Sequence, residues 1–140
     1  MAKFAVALKR TLSTSATVGN VVADATRPRR GYLYYWSIGS ESTPADNNIE
    51  VQIKRCTTAG TGTAVVPTMI DSGDVLTEAD PAQNHTVEPT YTASTDVFRE
   101  VWNQKYGAKW YAPPGGEIVY PATASNGFGV LTPVCTSGTP

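Results

Sequence analysis

A chain of 140 residues is long enough for one domain that buries a core without help from metals or disulfides. Its net charge of −1 argues against a nucleic-acid-binding protein that depends on overall positive charge, and no apolar run approaches the ~18 residues of a membrane span. Only 16% of the residues are charged, against a usual ~25%, as suits an all-β protein or one that hides much of its surface in an assembly.

Strands are predicted throughout the N-terminal half of the chain. The clearest runs from Ile49 to Arg55, where Ile49, Val51 and Ile53 alternate with polar residues, so one face is apolar and the other polar. The segment from Tyr32 to Ile38 is apolar on both faces, which predicts a central strand or a second face covered by a neighbouring subunit. Further strands are predicted at Lys3–Lys9, Val18–Ala23 and Ala64–Met69.

The C-terminal half contains one ambiguous segment and two strong turn signals. Ser94 to Gly107 could form a capped helix, but its Val, Phe and Trp content makes a strand about as favourable. Pro113 to Gly116 predicts a tight reversal between two short strands, and Ser125 to Gly127 predicts a hairpin. Strands are predicted at Glu88–Thr92, Val97–Asn103, Lys109–Ala112, Glu117–Tyr120 and Gly127–Leu131.

This spacing of short strands and turns predicts an antiparallel β-sandwich or a barrel, and among these we favour a jelly roll. We expect residues 1–140 to form a single β-sandwich domain with an extended N-terminal arm. A polar loop is predicted at about residues 71–86, and the segment Cys135 to Pro140 predicts a flexible C-terminal tail.

Three sequence segments are similar in kind and order to those of a family of small phage virion proteins, the capsid decoration or cement proteins. They are IEVQIKRCTTAGTGTAVVP from Ile49, NHTVEPTYTA from Asn84 and WYAPPGGEIVYPATASNGFG from Trp110. The resemblance spans roughly Gly31 to Pro133 and rests on strand and turn patterns. It favours the strand interpretation of Ser94 to Gly107.

The resemblance implies a non-enzymatic structural protein on the exterior of the phage capsid. Such a protein would bridge subunits of the major capsid protein as a homotrimer and cement the shell. The first alternative is a carbohydrate-binding module of a virion surface or tail-fibre protein. A head-completion or tail component is a further alternative, because one fold supports several functions.

The one basic cluster of the chain comprises Arg27, Arg29 and Arg30. Arginines in a loop often lie along the surface beside it, and that interpretation needs no partner. The alternative is an assembly interface, because the planar guanidinium group binds carboxylates in a bidentate manner on an acidic capsid surface or a neighbouring subunit.

The aromatic residues are grouped in two segments, and core packing explains most of them. The exposed ones are candidates for a subunit interface, which favours Tyr, Trp and Arg, or for a platform that stacks on sugars. The candidate assembly residues are Tyr34, Tyr35, Trp102, Trp110 and Tyr111. Trp102, Trp110 and Tyr111 are also the candidates for carbohydrate binding.

No pattern in the sequence indicates catalysis, a cofactor or a metal site. His85 is the only histidine, and no nucleophile motif accompanies it. Cys56 and Cys135 are far apart in sequence; two free thiols are favoured, with a disulfide as the alternative. The acidic residues between Asp71 and Asp80 do not match an EF-hand, so we expect a solvated loop there.

Overall fold

The computed structural model describes residues 2–11, 16–41, 43–75 and 78–133. These residues form an all-β, antiparallel protein without a helix, as the sequence predicts. The strands are β1 (Phe4–Ala5), β2 (Ala16–Ala23), β3 (Gly31–Leu33), β4 (Tyr35–Ile38), β5 (Asn48–Cys56), β6 (Thr61–Ala64), β7 (Thr68–Met69), β8 (Ala79–Val87), β9 (Tyr91–Asn103), β10 (Ala108–Tyr111), β11 (Ile118–Tyr120) and β12 (Gly127–Thr132).

Six strands form the central sheet, in the order β6-β8-β2-β12-β5-β9. Strand β12 lies between β2 and β5, with Phe128 opposite Val21 on one side and Arg55 on the other. The long strand β9 pairs with β5, and its register places Phe98 opposite Ile53 and Trp102 opposite Ile49. The ambiguous segment from Ser94 to Gly107 is therefore largely strand, because its large apolar side chains pack across to β5.

The second layer is a two-stranded ribbon. Strands β3 and β4 follow each other along one side of it, where β3 pairs with β11 and β4 pairs with β10. Tyr35 lies opposite Tyr111, and Leu33 lies opposite Ile118. Tyr34 separates β3 from β4, and its carbonyl accepts a hydrogen bond of 2.8 Å from the Ala112 amide. The ribbon is thus continuous along residues 31–38, while its other side is interrupted by residues 113–117.

The ribbon packs against one face of the central sheet, and the core lies between them. Ring contacts join the two layers: Trp36 meets Phe98 at 5.1 Å between centroids, and Tyr120 meets Phe128 at 5.8 Å. Arg55 extends from the sheet and donates a 2.5 Å hydrogen bond to the Val119 carbonyl of the ribbon. The buried cluster consists of Val21, Ala23, Trp36, Val51, Ile53, Ala79, Trp102, Ile118, Tyr120 and Phe128.

The alternating pattern of β5 correctly predicts its core face, since Val51 and Ile53 are fully buried. The polar face of β5 is not fully open to solvent, since Gln52 is also buried and this second face is therefore partly covered. The two-faced apolar segment from Tyr32 to Ile38 is not a central strand. It is two short strands in the ribbon, with Trp36 buried and Tyr35 exposed.

The predicted polar loop at residues 71–86 is wrong in its second half. Strand β8 occupies Ala79–Val87 and lies between β6 and β2 in the central sheet. Its core-facing residues Ala79 and Pro81 are small, and Asp80 between them is exposed. Buried and exposed residues therefore alternate here as in other strands. The alternation is not recognisable in the sequence, because the buried residues are small and the segment has low hydrophobicity.

Both turn signals fall at turns, but neither forms the predicted reversal or hairpin. Pro113 accepts a 2.8 Å hydrogen bond from the Gly116 amide, yet β10 and β11 do not pair with each other, because both pair with the continuous segment of residues 31–38. The turn before β12 has Ser125 at φ 61°, and it connects the ribbon to the central sheet. Each of these turns therefore connects two strands that do not pair with each other.

Other predicted strands differ in extent. The predicted strand at Lys3–Lys9 is only the two-residue β1, which pairs with β7. The predicted strand Ala64–Met69 is not continuous, since it spans the end of β6 and the whole of β7. The end of the predicted strand Glu88–Thr92 and all of Val97–Asn103 belong to one strand, β9. The predicted flexible tail, including Cys135, lies outside the described residues.

Candidate protein-binding surface

The outer side of the ribbon exposes a group of tyrosines, which we call the tyrosine face and define by Tyr32, Tyr35 and Tyr111. Strand alternation explains the exposure, because the neighbouring positions Leu33, Trp36 and Trp110 turn inward to the core. The exposed fractions are 43% for Tyr32, 36% for Tyr35 and 69% for Tyr111.

Tyr35 and Tyr111 form the centre of this face. They are directly opposite in register, and their ring centroids are 4.6 Å apart with a tilt of 34°. Adjacent positions on the same strands are anchored, since Trp36 and Trp110 both contact the ring of Phe98. The exposed pair is thus held by a packed layer immediately beneath it.

Tyr34 lies at the break between β3 and β4 and is 40% exposed. Lys3 places its ammonium group 5.8 Å from the centroid of the Tyr34 ring, within the range of a cation–π contact. The N-terminal segment therefore reaches the ribbon beside the tyrosine face.

The structure separates the two tryptophan candidates from the exposed tyrosines. Trp102 is 8% exposed and belongs to the core, so it is not the exposed ring that a sugar-stacking platform requires. Trp110 is half-buried, with its ring centroid 5.9 Å from that of Phe98. Of the candidate aromatic residues, Tyr34, Tyr35 and Tyr111 are brought to one region of the surface.

Two of the three arginines in the cluster share one carboxylate. Arg27 and Arg29 both pair with Glu78, at 3.3 Å and 2.5 Å. Asp24 accepts hydrogen bonds from the Arg27 and Thr26 amides, which lower the pKa of Asp24 below its usual value. Arg30 is exposed and makes no ion pair with any described residue.

A partly buried polar group lies on the opposite face of the central sheet, and no motif in the sequence points to it. Thr17, which is fully buried, shares a 2.6 Å hydrogen bond with the Tyr91 hydroxyl, and its amide donates to Glu88 at 3.1 Å. Arg10 completes the group with a 2.9 Å ion pair to Glu88. Although burial favours the neutral acid, the bonds from Thr17 and Arg10 lower the pKa of Glu88.

His85 belongs to a second part of this polar layer. Its Nε2 lies 3.1 Å from the Oδ1 of Asn20, and Asn20 donates to the Ala59 carbonyl at 2.9 Å. Burial lowers the pKa of His85, and Arg10 acts in the same direction, while Glu88 partly opposes both. These interactions fix the position of strand β8 against β2 and give His85 a structural role.

Cys56 is a buried free thiol at the end of β5. Burial raises its pKa to about 11, so the thiol is protonated at neutral pH. Thiolate is the nucleophilic form of cysteine, and this environment disfavours it.

The described residues contain no cluster of three or more potential metal ligands. Asp71 instead organises its own turn, accepting hydrogen bonds from the Gly73 amide to its side chain and from the Asp74 amide to its carbonyl. Within the same described ranges, no helix is long and apolar enough to cross a membrane.

Comparison of the chain with protein-family models, with curated proteins and with solved structures finds no match.

Proposed function

We propose that this protein is a non-enzymatic structural component of a phage virion that decorates the capsid exterior and cements the shell. Each copy would bridge neighbouring subunits of the major capsid protein, and a homotrimer would multiply those contacts. The proposed architecture is a β-sandwich of jelly-roll type. The resemblance of the three sequence segments to capsid decoration proteins supports this assignment, as does the all-β architecture.

The exposed pair of Tyr35 and Tyr111 is the observation that carries the proposal. Tyrosine combines a large apolar ring with a hydroxyl group, and it is enriched where proteins bind other proteins. Here two such rings lie 4.6 Å apart on the outer side of a ribbon. The proposed site therefore offers a compact aromatic contact whose hydroxyl groups can also form hydrogen bonds.

The packing beneath Tyr35 and Tyr111 favours binding, because these residues would lose little conformational entropy on association. Trp36 is buried and Trp110 is half-buried, so the backbone positions next to each tyrosine are held by the core. A preorganised surface loses less conformational freedom on association than a mobile loop does. A rigid contact also suits a mechanical role, in which force passes from one capsid subunit to another.

Cementing requires many modest contacts rather than one strong one. A protein bound at several points gains avidity, because each engaged contact raises the effective concentration for the next. In the proposed trimer, three tyrosine faces would engage the shell together under its symmetry. The resulting strength would come from multivalency.

Carbohydrate binding remains the second candidate, because exposed aromatic rings also stack on sugars. Since Trp102 is in the core, this candidate would depend on Tyr35 and Tyr111. The two functions differ in their ligand, so they can be separated by direct binding measurements.

The test uses capsid shells of the phage whose genome encodes the chain, prepared without this protein. We expect the purified protein to co-sediment with the shells, to saturate at a fixed ratio to the major capsid protein, and to raise the temperature at which the shells release DNA. Absence of saturable binding would contradict the proposal. Binding of soluble glycans that requires Tyr35 and Tyr111, with no binding to shells, would favour the carbohydrate candidate.

A further inference from the structure

The basic side chains of the protein divide into a paired majority and a small unpaired group. Of the eleven Lys and Arg residues, seven form ion pairs with carboxylates. An eighth, Arg55, donates to the Val119 carbonyl. The remaining three, Lys3, Arg30 and Lys109, make no ion pair with any described residue.

All three unpaired cations lie along or beside the tyrosine face. Lys109 is opposite Ser37 in the ribbon, two residues from Tyr111, so strand alternation places it on the outer side. Arg30 is two residues before Tyr32 at the start of β3, and it is exposed. Lys3 lies over the ring of Tyr34.

No described carboxylate lies within ion-pair distance of these three cations. Glu117, which ends the interruption of the ribbon just before β11, makes no ion pair with any of the three. Glu78 is engaged by Arg27 and Arg29 instead. The tyrosine face therefore carries positive charge in a protein whose net charge is −1.

We propose that the tyrosine face binds a carboxylate-rich protein surface, with Arg30 and Lys109 pairing with Asp and Glu side chains of the partner. This inference rests on the proposed function and specifies the chemistry of the surface that the face would contact. Tyrosine hydroxyls donate to carboxylates, and the aromatic rings exclude water around the ion pairs, which strengthens them. Arg30 adds a bidentate donor that a lysine cannot provide.

A protein surface is favoured over nucleic acid because the positive group is small and the rest of the chain is compensated. Three cations neutralise few phosphates, and phosphate neutralisation supplies most non-specific affinity for nucleic acids. Carboxylate recognition by a few cations beside aromatic residues needs no extended basic groove. Charge complementarity would mainly set the rate and specificity of association.

The experiment compares two double variants that remove the same charge, one from unpaired cations and the other from cations that form ion pairs within the chain. Arg30→Gln/Lys109→Gln removes cations of the tyrosine face, whereas Lys9→Gln/Lys105→Gln removes exposed cations that pair with Glu41 and Asp46. Binding to immobilised poly-L-glutamate is measured at roughly 50 mM salt, with a single-stranded oligonucleotide as the second probe. Circular dichroism verifies that both variants are folded.

We expect the tyrosine-face variant to bind poly-L-glutamate about tenfold more weakly than the wild type, and the control variant to lose at most about twofold. Equal losses in both variants would overturn the inference, because they would report net charge alone. Tighter binding of the wild type to the oligonucleotide than to poly-L-glutamate would also overturn it, in favour of nucleic acid.

This readout does not use capsids, so its failure is distinguishable from failure of the proposed function. Site-specific binding to poly-L-glutamate without binding to shells would leave the inference standing and remove the capsid role. Conversely, shell binding that depends on the tyrosines but not on Arg30 or Lys109 would retain the capsid role and overturn the acidic partner.

Discussion

Tyr35 and Tyr111 lie directly opposite each other across the two strands of the ribbon, with their rings 4.6 Å apart and both accessible to solvent. The neighbouring residues Trp36 and Trp110 are opposite each other in the same register and turn toward the core. One pair thus anchors the ribbon and the adjacent pair is presented outward. This arrangement connects the fold to the proposed binding surface.

The core register of β5 can be tested at Ile53, which is fully buried. We expect Ile53→Ala to lower the free energy of unfolding by about 2–5 kcal/mol, since the substitution leaves a cavity between the sheet and the ribbon. Val101→Ala is the control, because Val101 is 55% exposed and its loss should change stability by at most about 0.5 kcal/mol. Urea denaturation measures both, and equal effects would contradict the register.

The contact between β12 and β2 can be tested at Gly127. A Cβ atom there would lie 2.0 Å from the Val21 carbonyl oxygen and 2.6 Å from the Val22 Cα, and neither backbone atom can rotate away. We expect Gly127→Ala to destabilise the protein by about 1–3 kcal/mol or more. Gly39→Ala serves as the control, since no described residue other than its two chain neighbours has an atom within 4 Å of its Cβ position. Matching melting temperatures for the two variants would refute the close approach.

Stability should depend on pH through His85, the only histidine of the chain. Burial lowers its pKa in the folded state, so the unfolded chain binds more protons below the ordinary value of about 6.5. The free energy of unfolding should therefore fall as pH decreases from about 6.5 toward the folded pKa. The carboxylates with lowered pKa, such as Glu88, contribute in the same direction at more acidic pH.

The matched variant for this prediction is His85→Gln, which removes the titrating group. Its unfolding free energy should be flatter than that of the wild type between roughly pH 5 and 7. Identical slopes would show that His85 is not responsible. A proton NMR titration of the wild-type ring gives an independent check, and a pKa at or above the ordinary histidine value would contradict the stated effect of burial.

Strands can be predicted from the sequence where large apolar residues occupy every second position. The prediction fails where small residues occupy the core-facing positions. Val51 and Ile53 mark the core face of β5 through their spacing and size alone. Ala79 and Pro81 occupy the same kind of position in β8, but their small side chains resemble those of a loop. The error at residues 71–86 therefore arises because burial of this strand is determined by its neighbours β2 and β6.

The candidate surface was predictable in composition but not in arrangement. Tyr34, Tyr35 and Tyr111 could be selected from the sequence, because exposed aromatic residues favour interfaces. Their separation from Trp102 depends on register, since a shift of one residue exchanges the two faces of a strand. The unpaired state of Lys109 could not be foreseen either, because ion pairs join residues that are distant in sequence.

The most direct test of the proposed function compares capsid-shell binding by Tyr35→Ala/Tyr111→Ala with that by Tyr106→Ala. Tyr106 is 86% exposed and is not one of the three residues of the tyrosine face, so its truncation removes an exposed tyrosine while leaving both rings of the pair intact. Co-sedimentation with shells lacking the protein gives the affinity, and thermal unfolding verifies that each variant is folded. We predict a loss of roughly thirtyfold or more for the double variant, since truncating a central interface residue costs about 2 kcal/mol or more, and near-wild-type binding for Tyr106→Ala. Unchanged shell binding by the folded double variant would contradict the proposal that Tyr35 and Tyr111 attach this protein to the capsid.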